Sequence, residues 1–471
     1  MKKTKIICSI GPASQSVDVM SEMVNSGMNV ARINFSHGDY QEYLNILNAV
    51  KETRLRTGVN VGVLYDTKGP DFRCGEIVPE GIELVAGNLI RILKNNVLGN
   101  SNGFSVNHPE AIDKINVGNT ILLEDALMKL EVVSKEYDGI TCKVIEGGNL
   151  KSKKGIAVPG VKLNLPFMSE QDRKDIEYAC LNEGDFIALS FVESRDNILQ
   201  VKEILRQFNR EDMKIISKVE SKTGVDNLDE IIDESDGIMV ARGDLGVEVP
   251  VEYLPIIQKD MIRKCREKEK FVIVATEMLA SMYTSARPTR AEVTDISNAV
   301  FDGADAVMLS GESTVGKHPI EAVKYMARIC EESEKNNMYC TKFEYSMDND
   351  VTESIAKAVI SSSEAMDIKA IIVPTSGGHS PSVISNLRPK PIILAPCPNE
   401  KVARRMMLNY GVYPIVTPNV KDNDMDDAVS HAKREAINFL NLKENDKIII
   451  TGGIHENRAI KQTNFMKIEE I

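Results

Sequence analysis

The sequence predicts an α/β protein whose largest part is an interrupted eight-stranded (β/α)8 barrel of the TIM type. Short apolar, β-branched runs alternate with amphipathic helical stretches, as they do in repeated β/α units. Several runs change from apolar to charged at their C-terminal ends, the end at which such barrels place their active sites. The eight runs cover, in chain order, residues 5–11, 29–38, 61–69, 185–194, 214–220, 236–246, 271–278 and 304–313.

Helical patterns with recognisable start and stop residues connect the predicted strands. A hydroxyl side chain commonly opens a helix, and glycine commonly ends one. The clearest patterns are residues 15–26 before Gly27, residues 39–57 before Gly58, and residues 169–183, which open with Ser169 and close at Gly184.

A long insertion separates the third and fourth runs. Residues 70–165 are far too many for a loop, and they contain short alternating pieces such as 81–93 and 138–148. We therefore expect a small β-barrel-like domain over 70–165 that overhangs the active face and closes over it as a lid. The catalytic barrel would then comprise residues 1–69 and 166–340.

The C-terminal part of the chain predicts a further domain. A polar linker around residues 335–349 is followed by renewed alternation of helix and strand from 350 to 471. This pattern indicates a separate α/β domain, to which we assign a regulatory role. Its predicted strands lie in 370–378, 391–397, 412–416 and 447–453.

The composition of the chain argues against nucleic-acid-binding, membrane-binding and zinc-binding classes of protein. Its 57 basic and 69 acidic residues give a formal net charge of −12, which argues against nucleic acid or an anionic membrane as a partner. The eight cysteines include no CxxC pair, so we expect reduced thiols in the cytoplasm rather than a zinc site. No apolar run approaches membrane-spanning length, and no signal-peptide pattern precedes the first strand.

Two strand ends place two carboxylates and a lysine together. Lys218 and Glu220 are two residues apart on the fifth strand, so they share a face, and Asp244 ends the sixth. Magnesium prefers one or two carboxylates plus substrate oxygens and water, and a nearby lysine can offset charge on a transferring phosphoryl group. A structural Lys–Glu pair would have the same spacing, and these residues alone do not decide between the two interpretations.

A second polar group follows the second and third strands. Arg32, Asn34 and Ser36 alternate along one face, and Asp66 and Thr67 end the neighbouring strand. Arginine suits phosphate recognition, while the other four supply oxygens that a hard cation accepts. On spacing alone, a polar layer that fills the barrel mouth is the simpler interpretation.

The sequence gives weaker signals for an anion-binding site and a nucleotide-binding site than for the two polar groups above. Gly243 and Asp244 can open a helical turn with free backbone N–H groups, and Thr276 ends the seventh strand with a hydroxyl. No P-loop motif occurs, so a nucleotide would have to bind through scattered side chains. Candidates are His37 and the Lys153-Lys154 pair, although a lysine pair is more often simply part of a solvated surface.

Longer segments then resemble the pyruvate kinase family, in that family's order. The resemblance is strong over residues 1–69 and 166–330 and looser elsewhere. It is carried by TKIICSIGPAS, NVARINFSHG, DTKGPDFR, IISKVE, GIMVARGDLGVEVP, VATEMLASM and RPTRAEVTDISNAVFDGADAVMLSGES.

The resemblance implies a phosphotransferase of glycolysis that moves a phosphoryl group from phosphoenolpyruvate to ADP, giving pyruvate and ATP. It also implies Mg²⁺ and K⁺ as cofactors and a homotetrameric assembly. Lys218 matches the lysine that stabilises charge at the transferring group, and Arg32 matches the arginine on the substrate phosphate. The remaining matches are Glu220 and Asp244 for Mg²⁺; Gly243, Asp244 and Thr276 for the substrate carboxylate; Asn34, Ser36, Asp66 and Thr67 for K⁺; and Asn34, Phe35, Ser36, His37, Arg73 and Lys154 for the nucleotide.

Three positions near the expected site depart from the family's pattern. Asp71 and Phe72 replace its Glu-Ile pair, and Glu277 replaces its glutamine. No His is placed in the barrel mouth to protonate an enolate, which leaves a water relayed through Thr276 as one route.

A phosphorylated effector is also implied by the resemblance, in a loop of the C-terminal domain. The family's T-x-S-G-R-S loop is here Thr375 to Ser380, with Gly377 in place of its serine and His379 in place of its arginine. The loss of a permanent charge predicts that a sugar bisphosphate is a poor activator.

Two other functions remain open. A metal-dependent aldolase would also bind an enolate with Glu and Asp, but it would need neither Lys218 nor a nucleotide. A non-catalytic sensor would be marked by substitution at Lys218, Glu220 or Asp244, and all three residues are intact.

Overall fold

A computed structural model describes residues 1–124, 126–336, 350–417, 425–453 and 462–471, with the backbone alone at 425–428 and 432. Its strands are, in chain order, β1 Lys5–Ser9, β2 Val30–Asn34, β3 Gly62–Asp66, β4 Ile82–Leu84, β5 Leu89–Leu93, β6 Gly103–Ser105, β7 Thr120–Leu123, β8 Met128–Glu136, β9 Gly139–Glu146, β10 Gly148–Leu150, β11 Ile156–Ala157, β12 Phe186–Leu189, β13 Lys214–Val219, β14 Gly237–Ala241, β15 Phe271–Ala275, β16 Ala306–Leu309, β17 Ile368–Ile372, β18 Ile392–Cys397, β19 Val412–Val416, β20 Lys447–Gly452 and β21 Phe465–Glu470.

Eight of these strands close into a parallel barrel, which confirms the predicted fold class. The order around the barrel is β1-β2-β3-β12-β13-β14-β15-β16, and β16 pairs with β1 to complete the circle. Side chains alternate along each strand, so one set fills the interior and the other meets the surrounding helices. Ile7, Val30, Leu64 and Phe186 are among the fully buried residues of the interior set.

The helices begin and end largely as their capping residues dictate. Ser169 opens helix α3 (Glu170–Leu181) with a capping box completed by Asp172, and helix α2 (Tyr40–Thr57) is capped at its end by Gly58, whose φ of 68° suits glycine. The predicted stop at Gly184 is displaced, because α3 ends at Leu181. The helices are α1 Val17–Asn25, α2 Tyr40–Thr57, α3 Glu170–Leu181, α4 Arg195–Gln207, α5 Lys222–Asp226, α6 Leu228–Glu234, α7 Arg242–Glu248, α8 Leu254–Glu267, α9 Arg290–Asp302, α10 Gly311–Thr314, α11 Pro319–Glu334, α12 Val351–Ala365, α13 His379–Asn386, α14 Glu400–Arg405 and α15 Met425–Leu440.

The insertion between β3 and β12 is a curled sheet with its own core, in which every strand pair is antiparallel except the parallel pair β5 and β6. Six strands pair in the order β11-β7-β8-β9-β5-β6, and β10 pairs with β4 beside them. Phe104, Leu130 and Ile140 are fully buried between these strands. The β-rich insertion expected from the sequence is thus present.

The C-terminal part is a five-stranded α/β sheet with the order β19-β18-β17-β20-β21. The four parallel strands fall within or close to the predicted runs. The edge strand β21 has no counterpart in the prediction, and it pairs antiparallel with β20.

This C-terminal part packs against the base of the barrel, where the barrel strands begin. Met407 and Leu408 join the apolar cluster of the barrel interior. Arg404 of α14 contacts Asp185, the residue before β12, with Nε 3.1 Å from Oδ1. The C-terminal part therefore covers the base of the barrel. The opposite end, where the barrel strands finish and the insertion begins, remains available for a functional site.

Within the described residues, every helix is too short or too polar to cross a membrane.

Candidate active site

A chain of alternating charges crosses the barrel mouth. Arg32 Nε lies 2.6 Å from Asp66 Oδ2, Asp66 Oδ1 lies 3.2 Å from Lys218 Nζ, and Lys218 Nζ lies 3.0 Å from Glu220 Oε1. Asp66 and Glu220 are fully buried, and the two cations are nearly so. The strands β2, β3 and β13 end at this mouth, which is why four residues far apart in the sequence meet here.

Burial and pairing shift the pKa values of this chain in different directions. Burial would raise the pKa of Asp66, but Arg32 and Lys218 outweigh it and hold that pKa below its usual value. Burial also opposes the charge on Lys218, yet Asp66 and Glu220 raise its pKa above the usual value. Burial raises the pKa of Glu220 to about 7, because Lys218 only partly offsets burial and Asp244 adds repulsion.

The carboxylates of Glu220 and Asp244 fit a divalent cation. Glu220 Oε2 accepts the Phe191 N–H at 2.7 Å, whereas the buried Oε1 accepts no hydrogen bond although Lys218 is near. Asp244 is exposed in the first turn of α7 and is close enough to repel Glu220. A buried carboxylate oxygen without a hydrogen bond, next to a second carboxylate, is a donor set that Mg²⁺ accepts.

The expected helical turn at Gly243 is present and is joined to Thr276. The helix α7 begins at Arg242, and the Gly243 N–H donates to Thr276 Oγ1 at 2.8 Å. Thr276 has a φ of 67° and Glu277 a φ of 56°, a left-handed conformation that a β-branched residue rarely adopts. Such strain is typical of functional sites.

Arg242, a residue not predicted from the sequence, holds this strained segment in place. Its guanidinium donates to the carbonyl oxygens of Ala275 at 3.3 Å and Thr276 at 2.6 Å, and it pairs with Asp295 at 2.6 Å. Arg242 could have been predicted by the criterion that identified Asp244, because both are charged residues at the end of the same predicted barrel strand.

Four residues proposed for a monovalent cation cluster at the ends of β2 and β3. Asn34 lies directly beside Asp66 in the strand register, and its Oδ1 accepts the Ser36 N–H at 3.0 Å. Thr67 follows Asp66 and is buried. The cluster offers the oxygen ligands that a hard monovalent cation needs.

The candidate nucleotide contacts are spread over two parts of the molecule. Phe35 is buried and stacks on Tyr65 at 5.2 Å, so its ring faces the helices, whereas Ser36 and His37 are exposed in the following turn. Arg73 and Lys154 lie on adjacent segments of the insertion.

Both insertion cations already have anionic partners. Arg73 Nε lies 3.0 Å from Asp71 Oδ2, which Lys68 also contacts at 3.0 Å. Lys154 Nζ lies 2.5 Å from Glu124 Oε1.

A cavity of about 490 Å³ lies between the insertion and the barrel mouth. The barrel contributes Asp244, Phe191 and Ser221 to its lining, and the insertion contributes Asp71 and Arg73. The cavity therefore joins the proposed divalent-cation site to the insertion side of the proposed nucleotide site.

Comparisons with known proteins agree along the whole chain. The family description "Pyruvate kinase, barrel domain" matches residues 1–323, and "Pyruvate kinase, alpha/beta domain" matches residues 353–469. The pyruvate kinase of Geobacillus stearothermophilus is 43% identical, with 100% of this chain and 80% of that protein covered. The pyruvate kinase of Clostridium acetobutylicum is 37% identical, with 100% of both chains covered.

A solved structure gives the same result in three dimensions. The crystal structure of a pyruvate kinase from Cryptosporidium parvum superposes with a TM-score of 0.91 at 36% identity, covering 100% of this chain and 96% of that one. Because the family match, the full-length relatives and the fold agree, the chain belongs to the pyruvate kinase family.

Proposed function

We propose that this protein transfers the phosphoryl group of phosphoenolpyruvate to ADP, giving pyruvate and ATP in the last step of glycolysis. The observation that carries the proposal is Lys218, a buried cation held between Asp66 and Glu220 at the mouth of the barrel. Phosphoryl transfer needs positioning and charge stabilisation more than covalent chemistry, and a preorganised cation supplies both.

The substrate would lie between Arg32, Lys218 and the turn at Gly243. Arg32 would bind the phosphate and Lys218 would offset the charge that develops during transfer. Gly243, Asp244 and Thr276 would hold the carboxylate, with the Gly243 N–H exchanging its bond to Thr276 for one to the substrate. Thr276 would also order the water that protonates the enolate.

Two cations complete the proposed site. Glu220 and Asp244 would hold Mg²⁺, which when bound supplies positive charge to the phosphoryl oxygens. Asn34, Ser36, Asp66 and Thr67 would hold K⁺. The family resemblance implies K⁺ dependence from the acidic Asp71, because a lysine at this position would supply that positive charge itself.

ADP would contact Asn34 to His37, Arg73 and Lys154. Phe35 would take part through its backbone, since its ring is stacked on Tyr65. In this proposal, residues 1–69 and 166–340 form the catalytic domain, residues 70–165 form the lid and residues 350–471 form the regulatory domain. The protein would be a cytoplasmic homotetramer. Sedimentation of the purified chain measures the assembly directly.

Pyruvate formation from phosphoenolpyruvate, with ADP, Mg²⁺ and K⁺ omitted in turn, tests the function. We expect each omission to remove most of the rate. Replacement of K⁺ by a bulky organic cation at equal ionic strength should do the same. Pyruvate release that needs no ADP would instead favour the lyase interpretation.

We also propose that a sugar monophosphate or a nucleotide binds the loop before α13. The Gly378 N–H donates to Thr375 Oγ1 at 2.8 Å, and Ser380 Oγ accepts a hydrogen bond from Thr463 Oγ1 at 2.7 Å. The loop keeps hydroxyls, but it lacks the arginine that would favour a second phosphate. The opposite wall would be the loop after β20, Gly452 to Lys461, of which residues 454–461 lie outside the described residues.

Activation curves with monophosphorylated and bisphosphorylated sugars test this binding. Strong activation by fructose 1,6-bisphosphate at low micromolar concentration would contradict the proposal.

A further inference from the structure

A buried serine at the end of β12 joins the two halves of the proposed site. Ser190 follows directly after β12, the strand between β3 and β13 in the barrel. Its neighbours across the mouth are therefore Thr67, which follows β3, and Lys218 in β13. Ser190 is 3% exposed, so its hydroxyl must find its hydrogen-bond partners within the protein.

The hydroxyl of Ser190 has a defined direction. Lys218 Nζ donates to Ser190 Oγ at 2.7 Å, and an ammonium group can only donate, so Oγ is the acceptor there. Its single proton is left for the Thr67 carbonyl oxygen at 2.7 Å, since Asp66 Oδ1 lies further away at 3.4 Å. A continuous hydrogen-bonded path thus runs from Lys218 through Ser190 to Thr67.

The same serine fixes Thr67 through its backbone. The Ser190 N–H donates to Thr67 Oγ1 at 3.2 Å, so Ser190 contacts both the carbonyl and the hydroxyl of Thr67. Packing is close as well, because a Cβ added at Gly69 would lie 2.8 Å from Ser190 Cβ. Gly69 also has a φ of 72°, so the turn after Thr67 is shaped to pass over this serine.

We propose that Ser190 is a positioning residue that couples the monovalent-cation ligands at Thr67 to the ammonium group of Lys218. This inference rests on the proposed function. When Thr67 is held by a cation, its carbonyl fixes the Ser190 hydroxyl, which in turn fixes Lys218 beside the transferring group. The monovalent cation would then act on the reaction partly through Ser190.

Ser190→Ala tests this coupling, with Ser217→Ala as the matched control. Ser217 is a fully buried serine next to Lys218 in β13, but its hydroxyl pairs with Ser235 at 2.7 Å, away from the mouth. Loss of a hydrogen bond to a charged group predicts a fall in kcat of about 10- to 100-fold for Ser190→Ala. The KM for phosphoenolpyruvate should change by less than about threefold, because Ser190 is not among the proposed substrate contacts.

The K⁺ concentration for half-maximal activation should rise about tenfold in Ser190→Ala and stay unchanged in Ser217→Ala. Ser190→Cys, which keeps the shape but hydrogen-bonds weakly, should resemble Ser190→Ala. Equal losses in Ser190→Ala and Ser217→Ala, an unchanged K⁺ response, or full activity of Ser190→Cys would each overturn the coupling.

A measurement without turnover separates this inference from the proposed function. Labelling of Lys218 by a small amine-reactive reagent, followed by mass spectrometry, should be about fivefold faster in Ser190→Ala, because the hydrogen bond that holds the Lys218 side chain in place is lost and the side chain is freer to meet the reagent. Equal labelling in Ser190→Ala and the unsubstituted chain would overturn the positioning role, whatever reaction the protein catalyses. Failure of the unsubstituted chain to form pyruvate, with the labelling difference present, would refute the proposed function alone.

Discussion

The side chain of Lys218 shows how one residue depends on several strands. Its ammonium contacts Asp66, Ser190 and Glu220, which come from the ends of β3, β12 and β13. No solvent reorganisation is needed to place this charge during a reaction, because burial and these oxygens already fix it. A cation in this setting contributes more to a transition state than an exposed lysine would.

We expect Lys218→Met to lower kcat by at least about 10²–10³-fold, the usual cost of removing a preorganised charge from a transition state. Phosphoenolpyruvate should still bind, because Arg32 and the turn at Gly243 remain. Steady-state rates and direct binding measurements separate the two effects. Lys214→Met is the control, since Lys214 begins the same strand and pairs with Asp236 at 2.7 Å. Retention of most activity by Lys218→Met would make Lys218 a structural ion-pair partner.

At the residue scale, the sequence predicted the charged members of the site but not the residues that hold them. Lys218, Glu220 and Asp244 stood out because charges at strand ends in a barrel are informative. Ser190 and Arg242 also lie in predicted runs, but the sequence does not show which residues they will contact. Their roles depend on neighbours across the barrel, which only the closed fold brings together.

The helix α7 carries a second carboxylate into the cavity, one turn after Asp244. Glu248 lines the cavity with Glu193, whose Oε1 accepts a hydrogen bond from Ser221 at 3.0 Å. Burial, and then repulsion from Glu193, raise the pKa of Glu248 to about 7. A carboxyl group whose pKa is higher in the folded than in the unfolded state destabilises the fold once it is ionised.

Glu248→Gln should therefore stabilise the protein above pH 7 and have little effect near pH 5. The folded state keeps the Glu248 proton between about pH 4.5 and 7 while the unfolded state has lost it, so this group's stabilising contribution falls as pH rises through that window. The gain at pH 8 should be about 1–3 kcal/mol. Thermal unfolding at pH 5 and pH 8 measures it, with the exposed Glu252→Gln as control. A gain that is the same at both pH values would exclude ionisation of Glu248 as the cause.

The elements themselves were predictable where local pattern and tertiary position agree. The barrel strands are short apolar runs, and their inward and outward faces are both buried, so the runs are nearly continuous. The end of α3 was misplaced because Asn182 caps it and Glu183 takes a left-handed φ of 56°, which Gly184 was expected to supply. The strand β21 escaped prediction because its sequence, FMKIEE, is half charged, as an edge strand permits.

At the scale of the whole molecule, a buried ion pair between Arg404 and Asp185 connects the C-terminal part to the base of the barrel. Arg404 Nε lies 3.1 and 3.2 Å from the two oxygens of Asp185, and Asp185 Oδ2 also accepts the Val63 N–H at 2.9 Å. Arg54 is a more distant partner, at 3.8 Å. Burial raises the pKa of Asp185 even though Arg404 opposes the shift.

Removal of Arg404 should therefore cost more than the loss of one surface ion pair. Arg404→Met would leave Asp185 buried with only its backbone donor and Arg54, and a broken buried pair typically destabilises by about 3–5 kcal/mol. Lys401→Met in the same helix is the control, because Lys401 is exposed and pairs with Asp212 at 2.9 Å, a contact worth about 0–1 kcal/mol. Denaturant unfolding measures the free energy of unfolding of both variants.

If Arg404→Met destabilises the protein because the buried Asp185 carboxylate loses its partner, Asp185→Asn should recover part of the stability in the Arg404→Met background, since residues in one pair do not act additively. Equal stability of the two single variants would mean that the apolar contacts of Met407 and Leu408, rather than the ion pair, hold the C-terminal part to the barrel.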